Sequence, residues 1–388
     1  MESIAAQRIP YSEIRVMFDA ARQLEQQGRD IIHLEIGRPD FNTPEHIVEA
    51  AIKALREGKH HYSPNAGILE LRQAITKKCS DEYQLEYNPD SEIVVTNGVA
   101  EGVYLAMHAL LNPGDQVLIS DPTWVNYNPV ALTNFVEPVG YPLDAKNDFQ
   151  PDPDVIEDKI SSRTKMIVLI SPSNPTGAVT GREVLEKIAH LANKYNLAVL
   201  SDEIYEKIIY PPSEHVCLAT LEGMKNRTLV LNGFSKYYSM TGWRLGYVLG
   251  PEKLINPILR YHQYMITSTN TFAQWGAIAA LKGDQGPSQA MLNEFQIRRD
   301  YFYDAIIQIP GFTCTKPEGA FYLFPSIKET GMDGYKMANM LLEKAGVATV
   351  AGECFGKNGA GCIRLSYANS LENLKSAVSR IDKTMRDK

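Results

Sequence analysis

Lys236 is the residue whose placement first suggests chemistry. It follows the apolar run Thr228–Asn232 (TLVLN) almost directly, an uncommon position for a solvated lysine. Ser235 stands beside it, and Arg244 comes later in the same segment, which runs NGFSKYYSMTGWRLG from Asn232 to Gly246. An amine with two anion-binding groups suits a phosphorylated aldehyde cofactor held as a Schiff base. Taken alone, Lys236 reads as a structural or solvated lysine; the company it keeps changes the balance.

Two further segments carry polar groups straight after apolar runs. LSDEIY puts Asp202 after the run LAVLS and Tyr205 shortly beyond. A carboxylate there can pair with a protonated ring nitrogen and make the ring an electron sink, and a phenol can hydrogen-bond a ring oxygen. The plainer alternative is a helix-capping Asp202 and a packed Tyr205. SPSNPTG follows MIVLI, and its prolines and glycine make a stiff loop from which Asn174 can offer an amide. A plain turn explains that loop equally well by itself.

These residues need a scaffold that brings strand ends together. The runs Glu92–Thr96, Gln116–Ser120, Met166–Ile170, Leu197–Ser201, Thr228–Asn232 and Leu245–Leu249 are continuous in Val, Ile and Leu. Such runs fit strands buried on both faces. Helical patterns at Ala100–Leu111 and Arg182–Asn196 alternate with them, so the reading is an α/β fold with a mostly parallel sheet and helices on both faces. Open sheets of this kind bind ligands beyond the carboxyl ends of their strands. The last hundred or so residues differ: a long helix at Ser288–Gln308, strands at Ala320–Phe324 and Cys362–Tyr367, and a terminal helix at Leu371–Met385. The expectation is a large domain at 44–285 and a smaller α+β domain from both chain ends, 1–43 and 286–388. In Cys362–Tyr367, Arg364 and Ser366 alternate with Ile363 and Leu365, so Arg364 is expected to leave the apolar face.

Composition narrows the function classes. The 388 residues hold 39 Lys+Arg and 46 Asp+Glu, a net charge of −7. That argues against a general electrostatic hold on nucleic acid or an anionic membrane. The five cysteines are odd in number, dispersed and without a C-x-x-C pair, so neither a disulfide framework nor a zinc site is expected, and no metal is assigned. The N-terminus shows no signal-peptide pattern and no apolar stretch approaches the ~18 residues of a membrane span. A cytoplasmic location is the expectation.

Together SPSNPTG, SDEIY, SKYYSMTGWRLG and IRLSYA, in this order, resemble the fold-type-I pyridoxal-phosphate enzymes, and among them the class I aminotransferases of the aspartate/aromatic type. The resemblance extends from LEIGRPD at Leu34 to IRLSYA at Ala368. It implies pyridoxal 5'-phosphate as cofactor, with Lys236 as the Schiff-base and proton-shuttling residue. Asp202 would pair with the pyridine nitrogen, Tyr205 and Asn174 with the ring hydroxyl, and Trp124 would stack on the ring. Gly98, Val99 and Ala100 open a helix after a strand, where free amides and the helix dipole favour a phosphate; Ser235 and Arg244 would complete that cup. The family often has a hydroxyl where this chain has Gly233, which leaves one donor unassigned. Arg364 matches the residue that grips the substrate α-carboxylate, with Gly37 giving backbone access. Tyr62 matches a tyrosine that reaches a neighbouring subunit's phosphate, which implies a homodimer; Asn270 is a second candidate for contact across that interface.

The implied reaction is a ping-pong exchange of an amino group between an L-amino acid and a 2-oxo acid. Aspartate-type members of the group carry a lysine where Ala100 stands, so an aromatic, neutral or sulfur-containing donor is favoured here. The alternatives are an aspartate- or glutamate-preferring aminotransferase, a pyridoxal-phosphate lyase, and a noncatalytic cofactor-binding sensor.

Overall fold

The structure is a computed structural model and describes residues 1–387. Strand β1 is short (Ile32–His33). The apolar runs of the middle become β2 (Ile93–Thr96), β3 (Gln116–Asp121), β4 (Glu137–Pro142), β5 (Thr164–Ile170), β6 (Ala198–Asp202), β7 (Thr228–Gly233) and β8 (Gly246–Leu249). These seven form one sheet in the order β2-β8-β7-β6-β5-β3-β4. Only β8 runs against its neighbours, pairing antiparallel with both β2 and β7, so the α/β, mostly parallel reading holds.

The two faces of the sheet explain the continuous apolar runs. Leu118, Ile167 and Val199 enter one core with Leu185, Ile188 and Ala192 of the helix Arg182–Lys194. Their neighbours Val117, Met166, Val168 and Leu200 enter another with Val103 and Ala106 of the helix Val99–Leu110. Successive strand residues thus point into different cores, and both must be apolar. Each fully buried Leu, Ile or Val contributes about 1.5–3 kcal/mol relative to exposure.

Strand β4 is the element the sequence hides. Its residues EPVGYP include two prolines and a glycine, and most are partly or fully exposed. It pairs only with β3, at the sheet edge, where a proline costs no ladder bond on the open side. Tyr141 anchors it by donating its hydroxyl to the Val168 carbonyl at 2.8 Å.

The remaining strands lie in two small sheets. β9 (Tyr322–Leu323), shorter than the expected Ala320–Phe324, pairs antiparallel with β12 (Ile363–Ser366), which also pairs with β11 (Val350–Ala351). β10 (Val347–Ala348) pairs parallel with β1. Ile32 and Leu34 share a core with Phe295 and Phe302 of the helix Gly286–Ile306 and with Leu374 and Ala377 of the helix Leu371–Arg386. The N-terminal segment therefore packs with the C-terminal elements.

Ile363 and Leu365 enter the core and Arg364 does not, in keeping with its leaving the apolar face, but the face it takes is not a solvent-exposed one. All four residues of β12 are buried, and Arg364 is 2% exposed. The alternation is real, but neither face of this small sheet meets solvent. Among the described residues no helix is long and apolar enough to cross a membrane.

Candidate active site

The carboxyl ends of β5, β6 and β7 open into a cavity of about 290 Å³. Lys236, Ser235, Asp202, Tyr205, Asn174, Trp124, Val99, Ala100, Arg244, Gly37 and Arg364 all line it. Residues from both chain ends thus meet strand ends of the large sheet, as convergence on one ligand requires. Two sequence candidates lie outside this lining. Gly98 stands just behind it as the N-cap of the helix Val99–Leu110. Tyr62 is 88% exposed, beside Asn270 in a separate surface cleft.

Lys236 donates from Nζ to the Gly37 carbonyl at 2.7 Å. Burial, reinforced by the positive charges of Arg364 and Arg244 and opposed by Asp202, lowers its ammonium pKa to about 8. The free amine is therefore accessible close to neutrality, as a nucleophilic or proton-transferring lysine needs.

Asp202 ends β6 and is buried. Its Oδ2 accepts the Tyr127 hydroxyl at 2.5 Å and its Oδ1 the Ile204 N–H at 3.1 Å. Burial raises its pKa to about 6, while those two hydrogen bonds pull it back. Behind the same segment, Glu203 binds Ser201, His215 and the Leu218 N–H, and Glu206 binds Lys78 and Tyr83. These contacts brace the segment from the side away from the cavity.

Arg364 donates from Nη1 to Asn174 Oδ1 at 3.0 Å and from Nη2 to the Glu35 carbonyl at 2.5 Å. Its buried Nε has no hydrogen-bond partner. Asn174 is thus tied to Arg364. Tyr205 shares a hydrogen bond of 2.7 Å with the Tyr322 hydroxyl.

At the other end, Gly98 has φ +77°, and a Cβ there would come within 2.6 Å of Arg244 Nη2. The positive φ and the close guanidinium together explain the glycine. Val99 and Ala100 begin the helix, so their N–H groups have no acceptor one turn back. Gly233 also has a physical reason: a Cβ would meet Gly246 Cα at 2.8 Å across the β7–β8 pair. A hydroxyl-bearing residue does not fit there.

The residues present fit pyridoxal phosphate. A buried carboxyl, a buried amine of lowered pKa, a glycine-floored anion cup and an arginine with an unpartnered donor are each of the kind that cofactor and its substrate require. Sequence reading missed Tyr127, Tyr322 and Arg38. Tyr127 lies three residues beyond Trp124, and nothing in its local pattern distinguishes it from a core aromatic; the contact to Asp202 arises only in three dimensions. Tyr322 likewise meets the site only in three dimensions, where a Cβ on Gly37 would lie 2.1 Å from its hydroxyl.

Residues 29–381 match the family model described as aminotransferase class I and II. The chain is 41% identical to the aspartate aminotransferase of Pyrococcus horikoshii, covering 97% of this chain and 95% of that one. It is 38% identical to aromatic-amino-acid aminotransferase 2 of Thermococcus litoralis, covering 97% and 96%. The solved structure of Thermus thermophilus aspartate aminotransferase with maleate superimposes with a TM-score of 0.94 at 37% identity, covering 99% of each chain. With full-length likeness on this scale and a lysine, aspartate and arginine converging at the sheet edge, the chain belongs to the class I aminotransferases of the aspartate/aromatic type.

Proposed function

We propose that this aminotransferase uses pyridoxal 5'-phosphate to exchange an amino group between an L-amino acid and a 2-oxo acid in two half-reactions of ping-pong form. The observation that carries the reading is the meeting of Lys236, Asp202 and Arg364 at one cavity, each from a different part of the chain. When bound, the cofactor supplies an aldehyde carbon and a ring that stabilises negative charge at the substrate Cα.

The chain's own residues do the rest. Arg364 and the Gly37 backbone hold the substrate α-carboxylate, and the arginine fork fixes its orientation. Lys236 takes the proton from the substrate Cα and delivers it to the cofactor's C4′. Asp202 keeps the ring nitrogen protonated, and Tyr127 holds that carboxylate in place. Tyr205 and Asn174 orient the ring hydroxyl, Trp124 covers the ring, and Val99, Ala100, Ser235 and Arg244 bind the phosphate. Tyr62 completes the phosphate site of a partner subunit in a homodimer. The cavity would then lie where a large domain, 44–285, meets a smaller one from 1–43 and 286–388.

The test is a single-turnover assay with stoichiometric enzyme. Amino acid alone should yield one equivalent of 2-oxo acid per site, and a second 2-oxo acid should restore the starting absorbance. Lys236→Ala should abolish both, along with borohydride-fixable attachment of the cofactor. Turnover without amino-group storage on the enzyme would refute the ping-pong form.

Ala100 offers no cation near the substrate, which supports an aromatic, neutral or sulfur-containing donor. A second reading, an acidic donor, rests on Arg38. This exposed side chain lines the cavity and has no hydrogen bond or ion pair among the described residues, while nearby Asp40 is held by Arg298 at 2.7 Å. The maleate in the Thermus structure is also a dicarboxylate. If Arg38 takes a distal carboxylate, Arg38→Gln should lower kcat/KM for aspartate by about tenfold or more and leave phenylalanine within about twofold. Equal loss for both donors would remove Arg38 as a reader of the side chain.

A further inference from the structure

Behind the proposed phosphate cup, Glu101 and His262 face each other in the interior, 7% and 0% exposed. Glu101 is in the first turn of the helix Val99–Leu110; His262 belongs to the helix Glu252–Met265 packed against it. Glu101 Oε2 accepts the Asn97 N–H at 2.5 Å. Glu101 Oε1 and His262 Nε2 both lack a hydrogen-bond partner, and they lie 4.0 Å apart.

The surrounding hydrogen bonds fix the imidazole tautomer. Asn65 Nδ2 donates to the Leu259 carbonyl at 3.1 Å, which leaves Asn65 Oδ1 turned to His262 Nδ1 at 2.5 Å. An amide oxygen only accepts, so Nδ1 carries the hydrogen. In a neutral ring, Nε2 is then a bare lone pair pointing at a carboxylate oxygen. At 4.0 Å the two atoms stand beyond hydrogen-bond length, and two bare buried lone pairs facing each other are relieved when the pair carries one proton, on Oε1 or on Nε2, which leaves the pair as a whole neutral.

We propose that Glu101 and His262 share a single proton, and that the protonated pair is a positioning unit for the phosphate end of the cofactor site. The mechanical link is the Asn97 peptide: its N–H binds Glu101, and its carbonyl accepts from Arg244 Nη2 at 3.3 Å. The electrostatic link is the helix end itself, since an ionised Glu101 in that first turn would compete with a phosphate for the same field. Burial favours the neutral forms of both partners, raising the Glu101 pKa and lowering that of His262 to about 4. The groups facing the pair are Asn65, the Asn97 N–H and the Val95 carbonyl, the last favouring a charged ring; no third charged side chain among the described residues shifts either partner.

The inference rests on the phosphate site proposed above. An ordinary first-turn glutamate would instead be ionised and would serve only as a cap. Glu101→Gln separates the two, because the amide still accepts from the Asn97 N–H and turns a donor toward His262 Nε2 but cannot ionise.

The experiment measures the dissociation constant of pyridoxal phosphate from the apoenzyme between about pH 6 and 9, with phosphate-free pyridoxal as a parallel probe. At the acidic end E101Q should match the wild type within about threefold. At the alkaline end the wild type should weaken by about tenfold more than E101Q, the size of one charge acting across a few ångströms of protein. With pyridoxal the two should share one pH dependence. Glu101→Ala should weaken the phosphate-bearing cofactor at every pH. Identical pH slopes for wild type and E101Q, or a slope difference of the same size with pyridoxal, would overturn the proposal. On the unmutated protein, ¹⁵N shifts should show His262 with its hydrogen on Nδ1, and the opposite tautomer would overturn it without any variant. Failure of the wild type to bind pyridoxal phosphate at all would instead sink the cofactor reading.

Discussion

Among single residues, Tyr127 has a sharper consequence than its place in the sequence suggests. Its hydroxyl is one of two donors to Asp202, and it is fully buried, so no water replaces it. Tyr127→Phe should reduce kcat by about 10- to 100-fold, the effect of losing a hydrogen bond to a charged group worth ~1.5–3 kcal/mol. The sign of the pH effect follows from the same bond. Tyr127 lowers the Asp202 pKa against burial, which holds it at about 6. Without the phenol that pKa rises, so the carboxylate is lost at higher pH and the acidic limb of the rate profile should move upward. An unmoved limb would mean that Asp202 does not govern it. Lys236 and Asp202 stood out in the sequence because Asp202 closes one apolar strand and Lys236 comes shortly after another. Tyr127 did not, because its role depends on a contact between residues far apart in the chain.

For the elements, the site depends on how strands end and helices begin. The helix Val99–Leu110 starts immediately after β2 through a glycine with φ +77°. Gly98→Ala strains the backbone and drives a methyl group toward Arg244, which lies 2.6 Å from the ideal Cβ position. The expected result is a loss of cofactor affinity of about tenfold or more, with the rest of the fold intact. Equilibrium dialysis of pyridoxal phosphate, alongside the thermal midpoint of the apoenzyme, checks both halves. A fall in midpoint with unchanged affinity would make Gly98 a folding residue only. The central strands could be read from sequence because they are buried on both faces. Strand β4 could not, since an edge strand tolerates the prolines that argue against one. The lesson at β12 runs the other way: alternation there is genuine, yet Arg364 is buried because helices and loops cover both sides.

For the whole molecule, the prediction concerns assembly. Tyr62 is 88% exposed and outside the cavity lining of its own chain, as a residue serving a partner's site has to be. Tyr62→Phe should raise the dissociation constant for pyridoxal phosphate by about 5- to 10-fold, consistent with one hydrogen bond of about 1 kcal/mol or slightly more to a charged acceptor. Sedimentation at catalytic concentration should find a dimer. A monomer with full activity would remove Tyr62 from the cofactor site.

By itself the sequence determined the α/β scaffold and the strand ends on which chemistry could sit, and its likeness to the family's motifs pointed to the amine, the acid and the arginine proposed for the site. The scaffold follows from local rules: buried strands need continuous apolar runs and tight turns need glycine. Tertiary structure alone decided what each of those groups feels. It placed the Tyr127 hydroxyl on Asp202, buried Lys236 with Arg364 and Arg244 nearby so that its amine is accessible near neutrality, and set Glu101 opposite His262. Charge state and hydrogen-bond partnership depend on distance and solvent exclusion between residues remote in sequence, and no local pattern encodes either.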